Sequence, residues 1–277
     1  MLKKFICIFV LMFVSNIAFA DTLKFAQITD VHTSDTDVTY SGRNLSKNQI
    51  NLQNAVSAIN ADDSIQYVFF TGDSVDKSQK RLYEKFFQNA NKLNKPYYMV
   101  FGNHDVNYGN ELNKKQALEI IKQNSYAHQN SNNYAVELNK DFVALMLDGT
   151  MESEVSAQGY YSKETLNWLK KTLKENKDKN VIVFQHFAVV PPAKESNYSH
   201  KHNIINKNEL VRVLKKYNNV VVVSSGHYHV KGEFDKYGMK HYSTPALFLT
   251  PSYYRMTQIE YNGKHINKIN SELKLND

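Results

Sequence analysis

Polar residues able to hold a metal ion or carry a proton recur at five places, each directly after a short apolar run. Asp30 and His32 follow residues 23–29, and Thr71-Gly72-Asp73 follow residues 67–70. Gly102-Asn103-His104-Asp105 come after residues 97–100, and His186 after residues 181–184. Ser224-Ser225-Gly226-His227-Tyr228-His229 leave a run of four valines, residues 220–223. Singly these signals are bland. An Asp-x-His pair is ordinarily loop capping, a Gly-Asp step a turn, and a lone imidazole at a strand end a packed core residue. The set is not bland, because five of the ten histidines fall inside it. Carboxylate, imidazole and amide donors suit first-row ions, with Mn, Fe, Co, Ni or Zn all feasible. The motifs contain no thiolate, which disfavours a structural zinc site. About seven candidate ligands are too many for one ion. Two ions a few ångströms apart need a bridging carboxylate, and an aspartate behind a glycine can approach both, as in two-metal phosphoryl-transfer sites.

The elements that must position these residues follow from hydrophobic periodicity. Residues 23–29, 67–70 and 97–100 read as strands, with amphipathic helices at 50–59 and 81–93 between them. Strand, helix, strand, helix, strand argues for parallel βαβ units. Residues 113–122 read as a helix, and 134–138 and 142–147 as a hairpin around Asn139-Lys140-Asp141. Ser162 caps a helix carrying Leu166, Leu169 and Leu173 inward, with Trp168 on the same core. A second βα half follows, with strands at 181–184 and 220–223 and a helix at 207–216. Residues 231–235, 240–243 and 256–261 then read as a run of antiparallel strands. No linker, low-complexity segment or short repeat divides the chain, so the reading is one layered α/β domain whose two halves contribute facing sheets. In such sheets ligands gather at the carboxyl ends of the strands, where all five motifs fall.

Together, Asp30-x-His32, Gly72-Asp73-x-x-Asp76, Gly102-Asn103-His104-Asp105, His186 and Gly226-His227-x-His229 resemble the signature of the calcineurin-like metallophosphoesterase superfamily. The resemblance spans residues 25 to 245, nearly the whole of the chain after its first 20 residues. It implies a four-layer α/β sandwich, two mixed β-sheets flanked by helices. It also implies a first ion on Asp30, His32, Asp73 and His229, a second on Asn103, His186 and His227, and Asp73 as the bridge. By the same resemblance His104 is no ligand but contacts the substrate phosphate and serves as general acid. Asp105 is expected to orient His104 or brace the loop, with plain turn capping as the alternative. Within the superfamily the chain is most similar to bacterial class III cyclic-nucleotide phosphodiesterases, through Asp148-Gly149, Leu166, Trp168-Leu169, Pro191-Pro192, Asn208-Glu209-Leu210 and Ser243-Thr244-Pro245. It departs from the common form at Gln185-His186, where a His-His pair is frequent. Asp76 stands where purple acid phosphatases carry a metal-binding Tyr.

The amino terminus adds a location. Lys3 and Lys4 precede an apolar run, residues 5–14, and Ala18-Phe19-Ala20 offers small residues where a signal peptidase reads. A membrane anchor needs about 20 apolar residues, and Ser15-Asn16 interrupt this run well short of that. Residues 1–20 are therefore expected to be a signal peptide, leaving residues 21–277 as the domain, exported to the periplasm or beyond and with no stable membrane span. The sole cysteine, Cys7, leaves with that peptide, so the mature core must hold without disulfides. The formal charge of +7, or +5 without Lys3 and Lys4, is mild and spread over helical faces, which disfavours nucleic-acid binding and modestly favours small anionic substrates. Two loops are expected to wall the site: residues 38–45, and the polar stretch 191–206 with Lys194, Tyr198, His200 and His202. His200-Lys201-His202 could mimic a metal pair, a reading that a loop setting disfavours. The expected activity is hydrolysis of phosphate mono- or diesters by a metal-activated hydroxide. The alternatives are a 3′,5′-cyclic nucleotide phosphodiesterase and a non-catalytic binding module on the same fold.

Overall fold

The computed structural model of the protein describes residues 20–36, 44–107, 111–126, 129–192 and 200–276. The expected signal segment up to Phe19, residues 38–43 of the first expected wall, and Lys194 and Tyr198 of the second lie outside the described residues.

Strands β1 (Asp21–Ile28), β2 (Tyr67–Thr71) and β3 (Tyr97–Val100) alternate with helices α1 (Asn48–Ala61) and α2 (Lys80–Ala90). Helix α3 (Lys114–Asn124) and strands β4 (Tyr134–Glu137) and β5 (Phe142–Leu147) lead into α4 (Lys163–Glu175), β6 (Asn180–Gln185), α5 (Lys207–Leu214) and β7 (Val220–Ser225). The chain closes with β8 (Gly232–Lys236), β9 (Met239–Ser243), β10 (Tyr253–Asn262) and β11 (His265–Leu275). One sheet has the order β11-β10-β1-β2-β3, the other β4-β5-β6-β7-β9-β8, and both are mixed. The expected caps form: Ser162 Oγ accepts from the Thr165 N–H at 3.1 Å, and Asn113 with Gln116 makes a capping box before α3.

Two-residue alternation builds the layers. On β5, Val143, Leu145 and Leu147 face α4 and α5, while Phe142, Ala144 and Met146 face the other sheet. On β2, Phe69 points between the sheets, and Val68 and Phe70 point to α1, α2 and α3. Every residue of β5 and β6 is buried, as a sheet covered on both faces requires. The result is helix, sheet, sheet, helix, the four-layer sandwich expected. Between the sheets Phe69 stacks on Phe184 with centroids 3.7 Å apart, and Phe25 meets both rings edge-on.

The carboxyl-terminal strands differ from the expected antiparallel run. β8 and β9 are antiparallel to each other, but β9 runs parallel to β7 and so joins the second sheet. β10 crosses back to pair antiparallel with β1 in the first. β11 is an additional strand. Its residues are exposed or half-exposed throughout, so HINKINSELKL lacks the apolar density that marks an inner strand.

Candidate metal centre

The loops leaving β1 and β2 are zipped together by backbone hydrogen bonds from Asp30 N to Gly72 O, His32 N to Asp73 O and Asp76 N to Thr33 O, at 2.9 to 3.0 Å. This ladder over-determines an unfavourable backbone. Asp30, His32, Asp73, His227 and His229 all have positive φ, between 48° and 71°. A left-handed conformation costs a non-glycine residue about 1–2 kcal/mol, and such strain collects where function demands it. Two glycines make the close approach possible. A Cβ at Gly102 would strike the Asp73 carboxylate and backbone, and one at Gly226 would strike Thr29 Oγ1 and Asp30 Oδ2.

The side chains converge as three metal-capable groups, of which His32, Asp76 and His104 are one and the other two share one carboxylate. Asp30, His32, Asp73 and His229 form the first group, and Asp73, His186 and His227 the second. Asp73 Oδ2 lies 3.5 Å from His32 Nε2 and 3.3 Å from His186 Nε2. Asp30 Oδ1 lies 3.1 Å from His229 Nε2, and His227 Nδ1 lies 3.1 Å from His186 Nε2. Asn103 sits in the loop whose His104 N–H binds Asp73 Oδ1 at 2.8 Å, and its own Oδ1 is buried with no hydrogen-bond partner among the described residues. All seven sequence-predicted ligand positions are thus brought to one place or into the loop lining it.

The outer shell fixes which atoms face inward. Thr71 O accepts from His186 Nδ1 at 2.8 Å, which leaves Nε2 facing the cluster. Asp30 Oδ2 is occupied by Thr29 Oγ1 at 2.6 Å and by the His227 N–H at 3.0 Å, leaving Oδ1 for the cluster. Burial would raise both carboxyls, yet the surrounding imidazoles hold Asp30 down at about 2 and Asp73 well below the usual range. Burial would lower His186, but Asp73 and Asp30 raise it to about 9. Burial and the neighbouring His186 hold His227 well below its ordinary value. Two ionised carboxylates, almost wholly buried, therefore demand positive charge among nitrogen and oxygen donors. Among the described residues, His32 Nε2 and Asn103 Oδ1 lack hydrogen-bond partners, as unfilled ligand atoms would. The residues fit first-row metal ions, and Asp73 is placed to bridge two of them.

His104 lies beside the first group, its ring 4.7 Å from that of His32. Its Nδ1 is 2.8 Å from Asp76 O, so Nδ1 donates and any acid proton sits on Nε2. The Asp105 side chain turns to the backbone. Its carboxylate accepts from the Gly102 and Val75 N–H groups at 2.8 and 3.1 Å, so it braces the loop. Burial and the Asp73 charge push that carboxyl up to about 8.

Sequence reasoning gave no role to Asp76, whose Oδ1 lies 3.3 Å from His32 Nδ1, or to Phe248, whose ring meets His32 and His229 edge-on at 5.3 and 5.2 Å. The Gly72-Asp73-x-x-Asp76 spacing held the signal for the first, whereas nothing local marks Phe248. Leu45, at the end of the first expected wall, packs with Ala246 and Phe248. Gln185 is structural, donating to Phe187 O and hydrogen-bonded to Tyr161. Among the described residues, His200 and His202 join no metal-capable group, though the His202 ring lies 5.4 Å from that of His227.

Comparison with known proteins gives concordant results. The family model described as calcineurin-like phosphoesterase matches residues 23–231. The chain is similar to a probable glycerophosphodiester phosphodiesterase of Arcobacter nitrofigilis, with 29% identity over 72% of this chain and 71% of that protein. It is also similar to the 3′,5′-cyclic adenosine monophosphate phosphodiesterase of Haemophilus influenzae, 27% identical over 81% of this chain and 76% of that one. The fold is similar to that of a dimetal phosphatase from Danio rerio, with a TM-score of 0.71 over 92% of this chain and 99% of that one, at 16% identity.

Proposed function

The chain belongs to the calcineurin-like phosphoesterase family, and on that premise we propose that it is a two-metal hydrolase of small phosphodiesters. The single observation that carries the reading is the placement of Asp73 Oδ2 between His32 Nε2 and His186 Nε2, at 3.5 and 3.3 Å. One carboxylate oxygen serving two ligand groups is the geometry a bridged pair requires. Asp30, His32, Asp73 and His229 would hold one ion, and Asp73, Asn103, His186 and His227 the other. Bound there, the ions supply an activated water near neutral pH and neutralise charge on the phosphoryl group.

The chain's own residues do the rest. The Thr71 carbonyl, the Thr29 hydroxyl and the His227 N–H hold the ligand side chains in one orientation. Asn103 and His104, on the loop fastened to Asp73, flank the place where a phosphoryl group would lie. His104 protonates the departing alkoxide from Nε2, because the Asp76 carbonyl holds the proton on Nδ1. The similarity to phosphodiesterases favours diesters over monoesters. A second reading, hydrolysis of 3′,5′-cyclic nucleotides, is favoured by the Haemophilus relative and would sit awkwardly with the export proposed below.

Residues 1–20 are proposed as a cleaved signal peptide, which places residues 21–277 as a single domain in the periplasm or outside the cell. Among the described residues, no helix is long and apolar enough to cross a membrane. An amino-terminal sequence beginning at Asp21 on protein from the periplasmic fraction is the expected result.

The purified protein loaded with Mn²⁺ should be compared on bis-p-nitrophenyl phosphate, p-nitrophenyl phosphate and 3′,5′-cyclic AMP. Turnover of the first above the second is expected. A preference for the third selects the cyclic-nucleotide reading. A metal-free, inert protein sinks both enzymatic readings and leaves the binding module.

A further inference from the structure

We propose that strand β11, the free edge of the first sheet, is a docking surface for a second copy of this chain, the two β11 strands pairing antiparallel about a two-fold axis at Asn270. The inference does not rest on the reading of the metal centre.

The two sheets have four edge strands, β11 and β3 in the first and β4 and β8 in the second. Three of them make poor templates. On β3 the Tyr134 hydroxyl accepts from the Met99 N–H at 3.1 Å and donates to Met99 O at 2.8 Å, so a side chain takes the place of a pairing strand. β4 and β8 have only four and five residues. β11 has eleven, and among the described residues its outer edge pairs with nothing. Such an edge leaves a row of backbone N–H and C=O groups open to another strand.

The sequence of β11 selects its own copy as that strand. Antiparallel pairing about Asn270 sets Lys268 opposite Glu272 of the second copy and, by the two-fold symmetry, Glu272 opposite its Lys268. Glu272 also meets Lys274 of its own strand at 2.8 Å, so in the pair the carboxylate lies between two ammonium groups. Moving the axis to Ser271 sets Lys268 against Lys274, and moving it to Ile269 leaves Glu272 against Ile266. Charge therefore fixes the register as well as the partner.

The opposite face of the strand agrees. The register with β10 places Lys268, Asn270, Glu272 and Lys274 on one face, and Ile269, Ser271 and Leu273 on the one that looks toward the second sheet. On that side a groove of about 420 Å³ runs along the sheet edges, lined by Val221, Met239, Ile266 and Ile269 among others. A paired copy brings its own Ile269 and Leu273 to the same side, and apolar surface that the lone chain exposes leaves water.

The test uses metal-loaded mature protein, its mass read by light scattering and sedimentation over a dilution series. The parent should dimerise with a Kd of about 10 µM. Lys268→Glu and Glu272→Lys each create like-charge pairs across the axis and should weaken the dimer about tenfold. The double variant restores both pairs and should return to within about twofold of the parent. Asn270→Cys adds the sole cysteine of the mature chain at the axis, where cross-strand Cα atoms lie within disulfide reach, so mild oxidation should link two chains. Lys274→Cys lies off the axis and should link far less. A parent that stays monomeric at about 100 µM overturns the inference and leaves the two-metal reading standing. A dimer that both single charge variants leave unchanged overturns it too, as does a double variant no tighter than the singles. Equal cross-linking by the two cysteine variants also overturns it, since the copies would then meet elsewhere.

Discussion

At the scale of residues, the site divides labour between neighbours that look alike in sequence. Asn103, His104 and Asp105 are consecutive, yet the first offers an unpartnered oxygen, the second a ring against His32, and the third two carboxylate oxygens to backbone N–H groups. His104→Ala should therefore keep its metal and lose about 10²- to 10⁴-fold in kcat, the usual worth of a positioned acid. His229→Ala, by contrast, should lose the ion of the first group. Metal content beside kcat separates the two, and wild-type turnover by His104→Ala on a poor leaving group would falsify the acid role. Asp76 makes a subtler case. Its carboxylate lies 3.3 Å from His32 Nδ1 while its carbonyl holds His104 Nδ1 at 2.8 Å. Asp76→Asn keeps the backbone carbonyl and removes the charge that makes His32 a stronger donor. About 10- to 100-fold weaker metal binding is expected, the typical effect of an outer partner. The His104 proton relay should survive, so kcat at saturating metal should change little. A large fall in kcat with unchanged metal affinity would reverse that assignment.

At the scale of elements, β9 offers a pH-dependent test independent of the ions. His241 on that strand is buried, and burial pushes its imidazole down to about 4, although the Lys236 carbonyl 3.1 Å away works the other way. Its unfolded value is about 6.5. Between those values the unfolded chain binds a proton that the folded one does not, so stability falls as pH drops from about 6.5 to about 4. The whole step is on the order of 3 kcal/mol. Urea unfolding of chelator-treated protein at about pH 7 and about pH 4.5 should show this loss, and His241→Gln should show less of it. An identical pH slope in the variant would remove His241 from the account. The elements also show where sequence was sufficient. The strands before all five motifs were legible because each is a dense apolar run ended by a polar turn, and β3 matches residue for residue. Which sheet β8, β9 and β10 join was not legible, because their partners β1 and β7 are set by long-range pairing. Nor was β11, an edge strand whose residues are exposed or half-exposed. In the site the residues that cluster were legible from type and position. Asp76, Phe248 and the His202–His227 contact were not, since they work through neighbours that only the folded chain supplies.

At the scale of the molecule, the two sheets are joined by apolar stacking at Phe69 and Phe184 and by a polar clasp nearer the site. Gln27 on β1 accepts from Ser224 Oγ and Thr244 Oγ1 and donates to Ser225 O, and Thr244 in turn accepts from the buried Arg255. Arg255 reaches Glu233 on β8 and Ser243 O after crossing from β10, so its charge is paired within the fold. Asp30 and Asp73 face imidazoles instead, His229 beside the first and His186 beside the second. They are two ionised groups inside the protein, on strained backbone, and bound ions would take over from the imidazoles as the offsetting charge. Metal should therefore be linked to global stability. At about 100-fold excess over Kd, a site binding only the folded state adds about 2.7 kcal/mol. For a chain of this size that corresponds to roughly 5–10 °C in Tm. Thermal unfolding with Mn²⁺ and with chelator should differ by about that amount per filled site. Asp73→Asn tells the cause apart from general salt effects. Its amide oxygen can still accept from the His104 N–H, so the loop stays anchored while the bridge is lost. The variant should melt near the parent's chelated value with or without Mn²⁺. A metal-dependent rise as large as the parent's would show that Asp73 does not join the two groups. A variant melting far below the chelated parent would show that the carboxylate, kept ionised against burial by His186, His104 and His32, stabilises the empty fold as well.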